Sequence, residues 1–318
     1  MARNTYEDWI PEEWSGPVIQ RVQQLSAVER LARRIPMATD TKHVPRSAGV
    51  DVNFVAKGNA YTEDTSVNDD VLLTALKFGR AIRIADEDLK DTSQVANIIQ
   101  VKQTDWATSY AKFIDNATLA TSAAGNGTTV PYKSLYYALT QANSATGYTA
   151  NANLTKTGSG GTTYTNLSAV LANYEQGDYF DESNTIVIAS PAFKQKFRGI
   201  MDDNHRPIFV AGLAGTPDTL FGYQVAWSNG CRLSATATSA PGGNPVLFVG
   251  NRDYLFLGDR SGPESRTAAA DSGVGFLTDE AVLKMRARRG FVVAHEKAWA
   301  CLEDNSSEPG GGAPEDDS

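Results

Sequence analysis

The sequence predicts an α+β protein, and three observations predict it. Apolar residues recur at helical spacing from Asp91 to about Ala124, which at 1.5 Å per residue gives a helix of roughly 50 Å. The short apolar segment Thr185–Ala189 is typical of a buried strand. From Pro245 onward the chain is rich in β-branched and aromatic residues separated by glycines, which predicts a group of strands.

The chain begins with an acidic arm that ends near Pro17. Trp9 and Trp14 lie there among four acidic residues and two prolines. Bulky aromatic side chains on a short arm broken by prolines cannot form a core of their own, so we expect them to pack on another surface. After the arm, the spacing of apolar residues from Val18 to Ile35 predicts a short helix with arginines at its end.

The segment between Ala38 and Ala85 has the pattern of a long two-stranded hairpin. Val50, Val52 and Phe54 alternate with polar residues, Gly58 offers a bend, and an apolar segment from Phe78 to Ile84 returns. An isolated hairpin is marginally stable in water. A neighbouring subunit is therefore the simplest candidate to hold it.

The long helix has capping residues at both ends. Asp91-Thr92-Ser93 can cap its start, and Gly125-Asn126-Gly127 can end it. The preceding acidic residues Asp86-Glu87-Asp88 complement the positive end of a helix dipole. We prefer this interpretation to a metal site or an acid–base pair.

Helices and strands alternate in the middle of the chain. Helices are predicted at Tyr132–Ala145, at Leu167–Tyr174, and at Pro191–Met201 with Ser190 at its start. The tract from Gly147 to Thr165 is composed almost entirely of small and polar residues, which favours a surface loop. Strands are predicted at Phe221–Val225, Pro245–Val249, Asp253–Leu257, Gly275–Leu277, Val282–Arg288 and Phe291–His295. The segment Glu303–Ser318, with six acidic and no basic residues, predicts a disordered tail.

Composition and charge exclude several classes of protein. No run of 18 apolar residues predicts a membrane span, and the first residues lack the charged and apolar regions of a signal peptide, so a cytoplasmic origin is expected. The net charge of −8 argues against a protein that grips nucleic acid through a basic surface. Cys231 and Cys301 lie far apart in sequence, which favours reduced, buried thiols over a disulfide framework or a zinc site.

The sequence offers no convergent set of catalytic residues. His43, His205 and His295 belong to no metalloprotease or nucleophile motif, and the glycine-rich segment Gly158–Thr163 lacks the GK[ST] of a phosphate-binding loop. We therefore expect no catalytic residue, cofactor or metal. Lys284, Arg286 and Arg288 share one face of a predicted strand and could face DNA, an acidic neighbour or solvent.

Several segments together resemble the major capsid proteins of tailed bacteriophages with the Hong Kong 97 fold. VDVNFVAKG at Val50–Gly58 is similar to the outgoing arm of that family's extended loop, and KFGRAIRIADEDLKDT at Lys77–Thr92 is similar to its return arm. Further similar segments are Ile186–Pro191, Asn204–Phe209 and Leu220–Val225 in the axial domain, and Val246–Gly250, Leu257–Arg260 and Phe276–Trp299 in the peripheral domain.

The resemblance implies a division of the chain. An N-terminal arm with a short helix would occupy residues 1–37, and the extended β-hairpin loop residues 38–85. The peripheral domain would comprise residues 86–130, with the long spine helix, and strands at 245–302. The axial domain would comprise residues 131–244, and the acidic tail residues 303–318.

The resemblance also implies a structural protein without enzymatic activity. Its copies would assemble into pentamers and hexamers of an icosahedral shell that encloses phage double-stranded DNA without sequence specificity. Partners would be itself, a separate scaffolding protein and a portal, with a decoration protein as a further candidate and no membrane. The protein would be assembled in the host cytoplasm and reside in the virion. Contacts between subunits are expected at Trp9, Trp14, Phe54, Lys57, Tyr61, Arg80, Arg286 and Arg288.

Two features depart from the family's pattern. Some members join subunits by a bond between a loop lysine and an asparagine, assisted by a glutamate. Lys57 can supply the lysine, but Ala281 and Arg288 stand where the other two are expected, so we expect a shell without this crosslink. The resemblance also begins too early in the chain for an N-terminal scaffolding region, which is why a separate scaffolding protein is expected.

Two alternatives remain open on sequence grounds. An encapsulin-like compartment shell has the same fold but encloses enzymes. A cytoplasmic α/β enzyme would use the end of the Thr185–Ser190 strand as its site.

Overall fold

A computed structural model describes residues 25–47, 49, 52–63, 68–91, 98–158, 160–201, 218–269 and 277–306. The chain divides into two compact units. Among the described residues, the first unit contains Phe78–Thr108 and Pro263–Ala287, and the second contains the remainder. The boundaries between the units fall inside one helix and three long strands.

The helices are α1 (Ala27–Leu31), α2 (Asp86–Asp91), α3 (Ile98–Asp115), α4 (Leu135–Thr140), α5 (Tyr164–Glu175) and α6 (Ala192–Gly199). The strands are β1 (Arg33–Pro36), β2 (Thr41–Arg46), β3 (Asp69–Ala85), β4 (Leu154–Lys156), β5 (Thr185–Ala189), β6 (Thr219–Leu220), β7 (Tyr223–Trp227), β8 (Val246–Asn251), β9 (Leu255–Ala268), β10 (Glu280–Val293) and β11 (Trp299–Glu303). The predicted α+β class agrees with this mixture of elements.

Five strands form a sheet in the order β1-β9-β10-β3-β2. β2 pairs antiparallel with β3 from Thr41↔Thr74 to Arg46↔Asp69, and β1 pairs parallel with β9. Met37 and Leu73 are buried beside this sheet in the second unit. A Cβ on Gly290 would meet the Met37 sulfur at 3.1 Å and the Thr74 carbonyl at 3.2 Å, so the sheet packs closely at this glycine.

Six strands of the second unit form another sheet, in the order β4-β11-β8-β5-β7-β6. β5 is buried at every position, as its apolar sequence requires, and it pairs antiparallel with β8 and parallel with β7. α5 and α6 contribute Leu167, Tyr174 and Phe193 to the core against this sheet. Fully burying side chains of this size contributes about 1.5–3 kcal/mol each.

The predicted hairpin forms in part. Its returning arm lies in β3 as expected, and the outgoing strand is β2, upstream of the predicted alternation at Val50–Phe54. The described part of that segment contains no strand. Val52 and Phe54 are exposed there, so the alternation has no buried face to stabilise a strand.

The helix predicted at Val18–Ile35 is wrong in its second half. In the described residues α1 ends at Leu31, and Arg33–Pro36 pair as a strand with β9. Ile35 precedes Pro36, and a residue before proline disfavours the helical conformation. Residues 18–24 lie outside the described residues.

The spine helix ends earlier than the predicted Ala124. Its described part, α3 with the π-helical turn Asn116–Ala120, is about 35 Å long. Asp91 lies in α2, and the rest of the predicted start of the long helix falls among residues 92–97, which lie outside the described residues. The C-terminal end is at Ala120 because Thr121 turns extended and pairs with Ser234.

The acidic residues Asp86, Glu87 and Asp88 occupy the first turn of α2, as the capping interpretation predicts. Asp86 also forms an ion pair with Lys90 one turn later. A negative charge in the first turn and a positive charge in the last complement the helix dipole.

Two predictions in the middle of the chain need correction. The helix predicted at Tyr132–Ala145 is restricted to α4, because Ser134 caps its start and the backbone turns between Asn143 and Tyr148. The Gly147–Thr165 tract is not wholly a surface loop. Its residues Leu154–Lys156 form β4, the edge strand of the six-stranded sheet, and pair parallel with β11.

The helix predictions that follow agree more closely with the structure. The predicted helix Leu167–Tyr174 lies inside α5, whose N-cap is Thr163. The predicted helix Pro191–Met201 is α6, but Pro191 rather than Ser190 occupies its N-cap.

The strand predictions of the final third are partly correct. Phe221 and Gly222 form the turn between β6 and β7, with φ of 50° and 93°. The two strands predicted at Val282–Arg288 and Phe291–His295 are one strand, β10, which passes through Gly290. Leu277 lies in a turn, and the other residues of the strand predicted there lie outside the described residues.

The tail does not begin at Glu303 as predicted. Glu303 is the last residue of β11, and Asp304 is also buried. Each acid has a cation that compensates its burial, since Lys156 pairs with Glu303 at 3.1 Å and Lys196 pairs with Asp304. Residues 307–318 lie outside the described residues.

Candidate contact surface

Residues 52–63 form an exposed apolar loop, called the loop tip below. Val52, Phe54 and Tyr61 are 97%, 95% and 86% exposed. Exposed apolar side chains that lie close together are common at interaction surfaces, which makes the loop tip a candidate contact surface. Phe54 and Tyr61 were predicted as contact residues from the sequence, and both lie here.

A β-turn forms the end of the loop tip. The Asn59 amide donates to the Ala56 carbonyl at 3.0 Å, and Gly58 has φ of +92°. Positive φ at the third position is typical of a type II turn and favours glycine. Lys57 occupies the second position and is exposed at the apex.

The other predicted contact residues lie apart from the loop tip in the sequence. Trp9 and Trp14 lie outside the described residues. Arg80 is exposed on β3, Arg286 is half-buried on β10, and Arg288 is exposed on β10.

The predicted basic face of β10 is present. Leu283, Met285 and Ala287 are buried, and the alternate residues Lys284, Arg286 and Arg288 point to the other face. Arg286 is ion-paired with Glu264 on β9, and this hydrogen bond lowers the pKa of Glu264. One of the three cations is therefore engaged within its own unit.

Arg80 and Arg286 do not share a face in the first unit. A Cβ on Gly79 would lie 3.4 Å from the Arg286 Cα and 2.7 Å from the Met285 carbonyl, which places Gly79 beside Arg286. Side chains alternate along a strand, so Arg80 points to the opposite face.

Neither position considered for the crosslink carries an amide or a carboxyl group. Ala281 is buried at the start of β10, and Arg288 is exposed farther along the same strand. Lys57 is exposed at the apex of the loop tip.

The second unit contains a pocket of about 540 Å³ that the sequence did not predict. It lies where β2, the segment before β5, the end of β8 and the end of β10 meet. We call it the aromatic pocket. Its lining includes Tyr179, Tyr254, Phe256, Asp178, Asp181, Asp253 and His295.

His295 forms one wall of the aromatic pocket. Its Nδ1 accepts from the Lys297 amide at 3.2 Å, so the proton of the neutral ring lies on Nε2, which is 2.9 Å from the Tyr179 hydroxyl. The two rings also stack, with centroids 4.1 Å apart. Burial lowers the pKa of His295 to about 4, so the ring is neutral at neutral pH.

Arg46 lies beside this wall. Its guanidinium is ion-paired with Asp69 and donates to the Ala294 carbonyl at 2.7 Å. The hydrogen bond to Asp69 raises the pKa of Arg46 and lowers that of Asp69. The positive charge of Arg46 is therefore largely compensated.

A buried carboxylate joins three parts of the second unit. Asp115, at the end of α3, accepts from the Ala27 amide at 2.9 Å, the Val28 amide at 3.1 Å and the Ser228 hydroxyl at 2.5 Å. The Ser26 hydroxyl is a fourth donor. Asp115 thus satisfies the free amides at the start of α1. Burial raises its pKa, and the four donors oppose that shift.

The neighbouring residue Asn116 forms hydrogen bonds with the loop that follows β7. Its Nδ2 donates to the Gly230 carbonyl at 3.0 Å and the Arg232 carbonyl at 2.8 Å. Its Oδ1 accepts from Ser234 at 2.7 Å and from Thr238 at 3.2 Å. The π-helical turn thus begins at a residue whose side chain is fully hydrogen-bonded.

Arg289 is the centre of a second buried network. Its Nε donates to Glu29 at 2.9 Å, and its Nη1 is paired with Asp259. The Tyr110 hydroxyl also donates to Glu29 at 2.9 Å. The network joins α1, α3, β9 and β10 within the second unit.

The remaining candidate residues show no sign of chemistry. His43 is exposed and paired with Asp70, and His205 lies outside the described residues. Both cysteines are free and buried, as predicted, and burial raises the pKa of each thiol. Within the described ranges no group of three or more histidine, cysteine or acidic side chains could hold a metal ion. No helix in those ranges is long and apolar enough to cross a membrane.

Comparisons with known proteins identify similar chains. A family model described as the phage capsid family matches residues 7–304. A chain of Mycobacterium phage Bobi has a TM-score of 0.70 and 15% identity, with 95% of this chain and 97% of that chain covered. A chain of Mycobacterium phage Ogopogo has a TM-score of 0.69 and 15% identity, with 96% and 100% covered.

A further similar structure is described as the capsid of an empty GTA particle computed with C5 symmetry. Its chain has a TM-score of 0.65 and 14% identity, with 93% of this chain and 96% of that chain covered. A search of curated proteins finds no match. At these identities the solved structures support the fold, and the family model supports the membership.

Proposed function

The chain belongs to the phage capsid family and is a major capsid protein that forms a shell, and on that premise we propose that its shell is icosahedral, is built of pentamers and hexamers, and encloses phage double-stranded DNA. The match of the family model over residues 7–304 is the observation that carries this proposal. It favours neither of the alternatives left open by the sequence, the encapsulin-like compartment and the α/β enzyme.

The division of the chain that we propose follows the Hong Kong 97 pattern. The loop within residues 38–85 is the extended loop, and α3 is the spine helix of a peripheral domain formed by residues 86–130 and 245–302. Residues 131–244 are the axial domain. The long β3 strand that leads into α2 supports this assignment, because a loop that reaches a neighbour needs a rigid root.

The exposed loop tip supports contacts between subunits. In a ring of identical subunits each copy uses two different surfaces, one to give a contact and one to receive it. Phe54 and Tyr61 are large aromatic side chains, which dominate the energetics of many interfaces. We assign Lys57, Arg80, Arg286, Arg288, Trp9 and Trp14 to such contacts as well.

The partners that we propose follow from this role. They are other copies of the chain, a scaffolding protein, a portal, a decoration protein and packaged DNA. The net charge of −8 opposes tight binding to DNA, so contact with it would be weak and independent of sequence. The virion is the location of the finished protein, and assembly takes place in the host cytoplasm.

Expression of the full chain, alone and together with its neighbouring genes, tests the proposal. Electron microscopy of the purified material should show closed icosahedral particles, and particles from infected cells should contain nuclease-protected double-stranded DNA. Particles that contain proteins and no DNA would contradict DNA enclosure and favour the compartment. A protein that stays monomeric in every assembly condition would contradict the shell itself.

A further inference from the structure

The loop tip carries two charged side chains. Lys57 stands at the apex of the turn, and Glu63 lies at the far end of the segment. Phe54 and Tyr61 occupy equivalent positions on the two sides of that turn. The loop tip therefore presents one cation flanked by two exposed aromatic rings.

The lining of the aromatic pocket is acidic. Asp178, Asp181 and Asp253 line it, and the Asp181 carboxylate already accepts hydrogen bonds from Ser183 and Asn184. Of the pocket's two cations, Arg46 is paired with Asp69, and the Arg33 guanidinium lies 5.7 Å from the centre of the Phe256 ring and keeps its charge. The three acids outnumber the two cations, so the lining has a net negative charge.

The walls of the aromatic pocket suit a lysine and its aromatic neighbours. Tyr179 and Tyr254 meet edge to face, with ring centroids 5.2 Å apart, and His295 stacks on Tyr179. Ring faces attract an ammonium group, and a nearby carboxylate adds to the attraction. The volume of about 540 Å³ lies in the range of roughly 300–1,000 Å³ of pockets that bury drug-sized molecules.

We propose that the loop tip of one subunit docks, with Lys57 leading, into the aromatic pocket of a second copy of this chain. The inference rests on the proposed function and names two surfaces of the contact between subunits. Within one chain the loop tip is exposed, with Phe54 in water, so its own pocket does not cover it. One copy then gives its loop and receives another, the arrangement that closes a ring.

Disulfide trapping tests the contact directly. The variant K57C/D178C, assembled and then oxidised mildly, should give a ladder of disulfide-linked species on a non-reducing denaturing gel, because every subunit contributes both cysteines. A mixture of K57C and D178C single variants should stop at dimers. Cys231 and Cys301 are buried and stay outside the reaction.

The matched control keeps Asp178→Cys and moves the second cysteine to Leu277, which is exposed but lies outside the loop tip. L277C/D178C should remain monomeric on the same gel. A ladder from this control equal to that of K57C/D178C would overturn the proposal, because the trapping would then be non-specific. A disulfide within single chains of K57C/D178C would overturn it as well.

Charge reversal gives an independent readout. K57E should reduce the yield of particles at least about tenfold, since like charges across an interface oppose association. The swap K57E/D178K should restore most of that yield, and K102E, which makes the same charge change on α3, should leave it near wild type. Failure of the swap to rescue assembly, with K57E folded normally by circular dichroism, would contradict this pairing.

The experiments distinguish a failure of the docking proposal from a failure of the proposed function. If the wild-type chain forms shells but the cysteine pair gives no ladder, the docking is wrong and the shell stands. If the wild-type chain forms no shell with its neighbouring genes, the proposed function is wrong.

Discussion

Asp115 shows how one side chain can join distant parts of a chain. It accepts from α1 and from the loop after β7, which lie 87 and 113 residues away in sequence. A helix with amphipathic spacing predicts an apolar face, but it does not reveal that its final carboxylate caps a different helix. This residue could not be found without the structure.

Replacing Asp115 by alanine should lower the free energy of unfolding by about 3 kcal/mol or more. Four buried donors would lose their acceptor, and each unsatisfied group costs about 1–3 kcal/mol before relaxation. Urea unfolding of the unassembled chain measures the change. Glu87→Ala, at an exposed site on α2, serves as the control and should stay within about 0.5 kcal/mol of wild type. A loss below about 1 kcal/mol in D115A would contradict the role given to Asp115.

His295 should make stability fall as the pH falls from about 6.5 to about 4. Its pKa is about 4 in the folded protein and near 6.5 in an unfolded chain, so the unfolded state takes up the proton first. The stabilising effect of the neutral ring is fully present above pH 6.5 and is lost as the pH falls toward 4. Thermal unfolding between pH 7 and pH 4 measures it.

His295→Gln should remove part of this pH dependence, because glutamine does not titrate in the range. His43→Gln, at an exposed site outside the aromatic pocket, is the control for replacing a histidine as such. Identical profiles for wild type and H295Q would show that His295 does not cause the loss.

At the scale of an element, the end of the spine helix is determined by packing. Gly230 lies so close to it that an added Cβ would stand 2.6 Å from the Asp115 Cβ and 2.8 Å from both the Lys112 carbonyl and the Asn116 amide. These neighbours are mostly backbone and cannot move aside easily. The glycine therefore permits the loop to approach, and its φ angle is not the reason for its presence.

Gly230→Ala should destabilise the protein by about 1–3 kcal/mol, the usual cost of overpacking. Gly242→Ala makes the same change at a site with open space and should cost much less. Denaturant midpoints of the two variants give the comparison. Equal midpoints would mean that the loop can shift without loss of packing.

The elements predicted correctly are those whose secondary structure follows from their own residues and does not depend on distant partners. β5 has the predicted bounds because four consecutive apolar residues, Ile186–Ala189, favour a buried environment. β1 was missed because Arg33–Pro36 pair with residues more than 200 positions away. Glu303 was missed for a similar reason, since its burial depends on Tyr136, Asn244 and Lys156.

In the candidate site, too, local features were predicted and features formed by distant segments were not. Phe54, Lys57 and Tyr61 were predicted from the loop in which they lie, and all three are exposed there. The aromatic pocket was not predicted, because its walls combine β2 with segments near residues 180, 254 and 295. Local patterns in a sequence carry no signal for a pocket assembled across such distances.

At the scale of the whole molecule, mature particles should contain no covalent bonds between subunits. The chain has Ala281 and Arg288 where the resemblance leads us to expect the asparagine and the glutamate of the family's crosslink. Boiled, unoxidised particles should give one monomer band on a denaturing gel. A ladder resistant to reduction would overturn this expectation, and mass spectrometry of its peptides would identify the residues joined.

The position of β11 has a consequence for the order of synthesis and assembly. This strand lies inside the six-stranded sheet, between β4 and β8, although it is the last strand to be described along the chain. A ribosome delivers the other five strands first, so the sheet stays open until β11 emerges. A chain interrupted before Trp299 would leave two strand edges and an apolar core uncovered. Translation past Glu303 is thus a condition for closing this sheet.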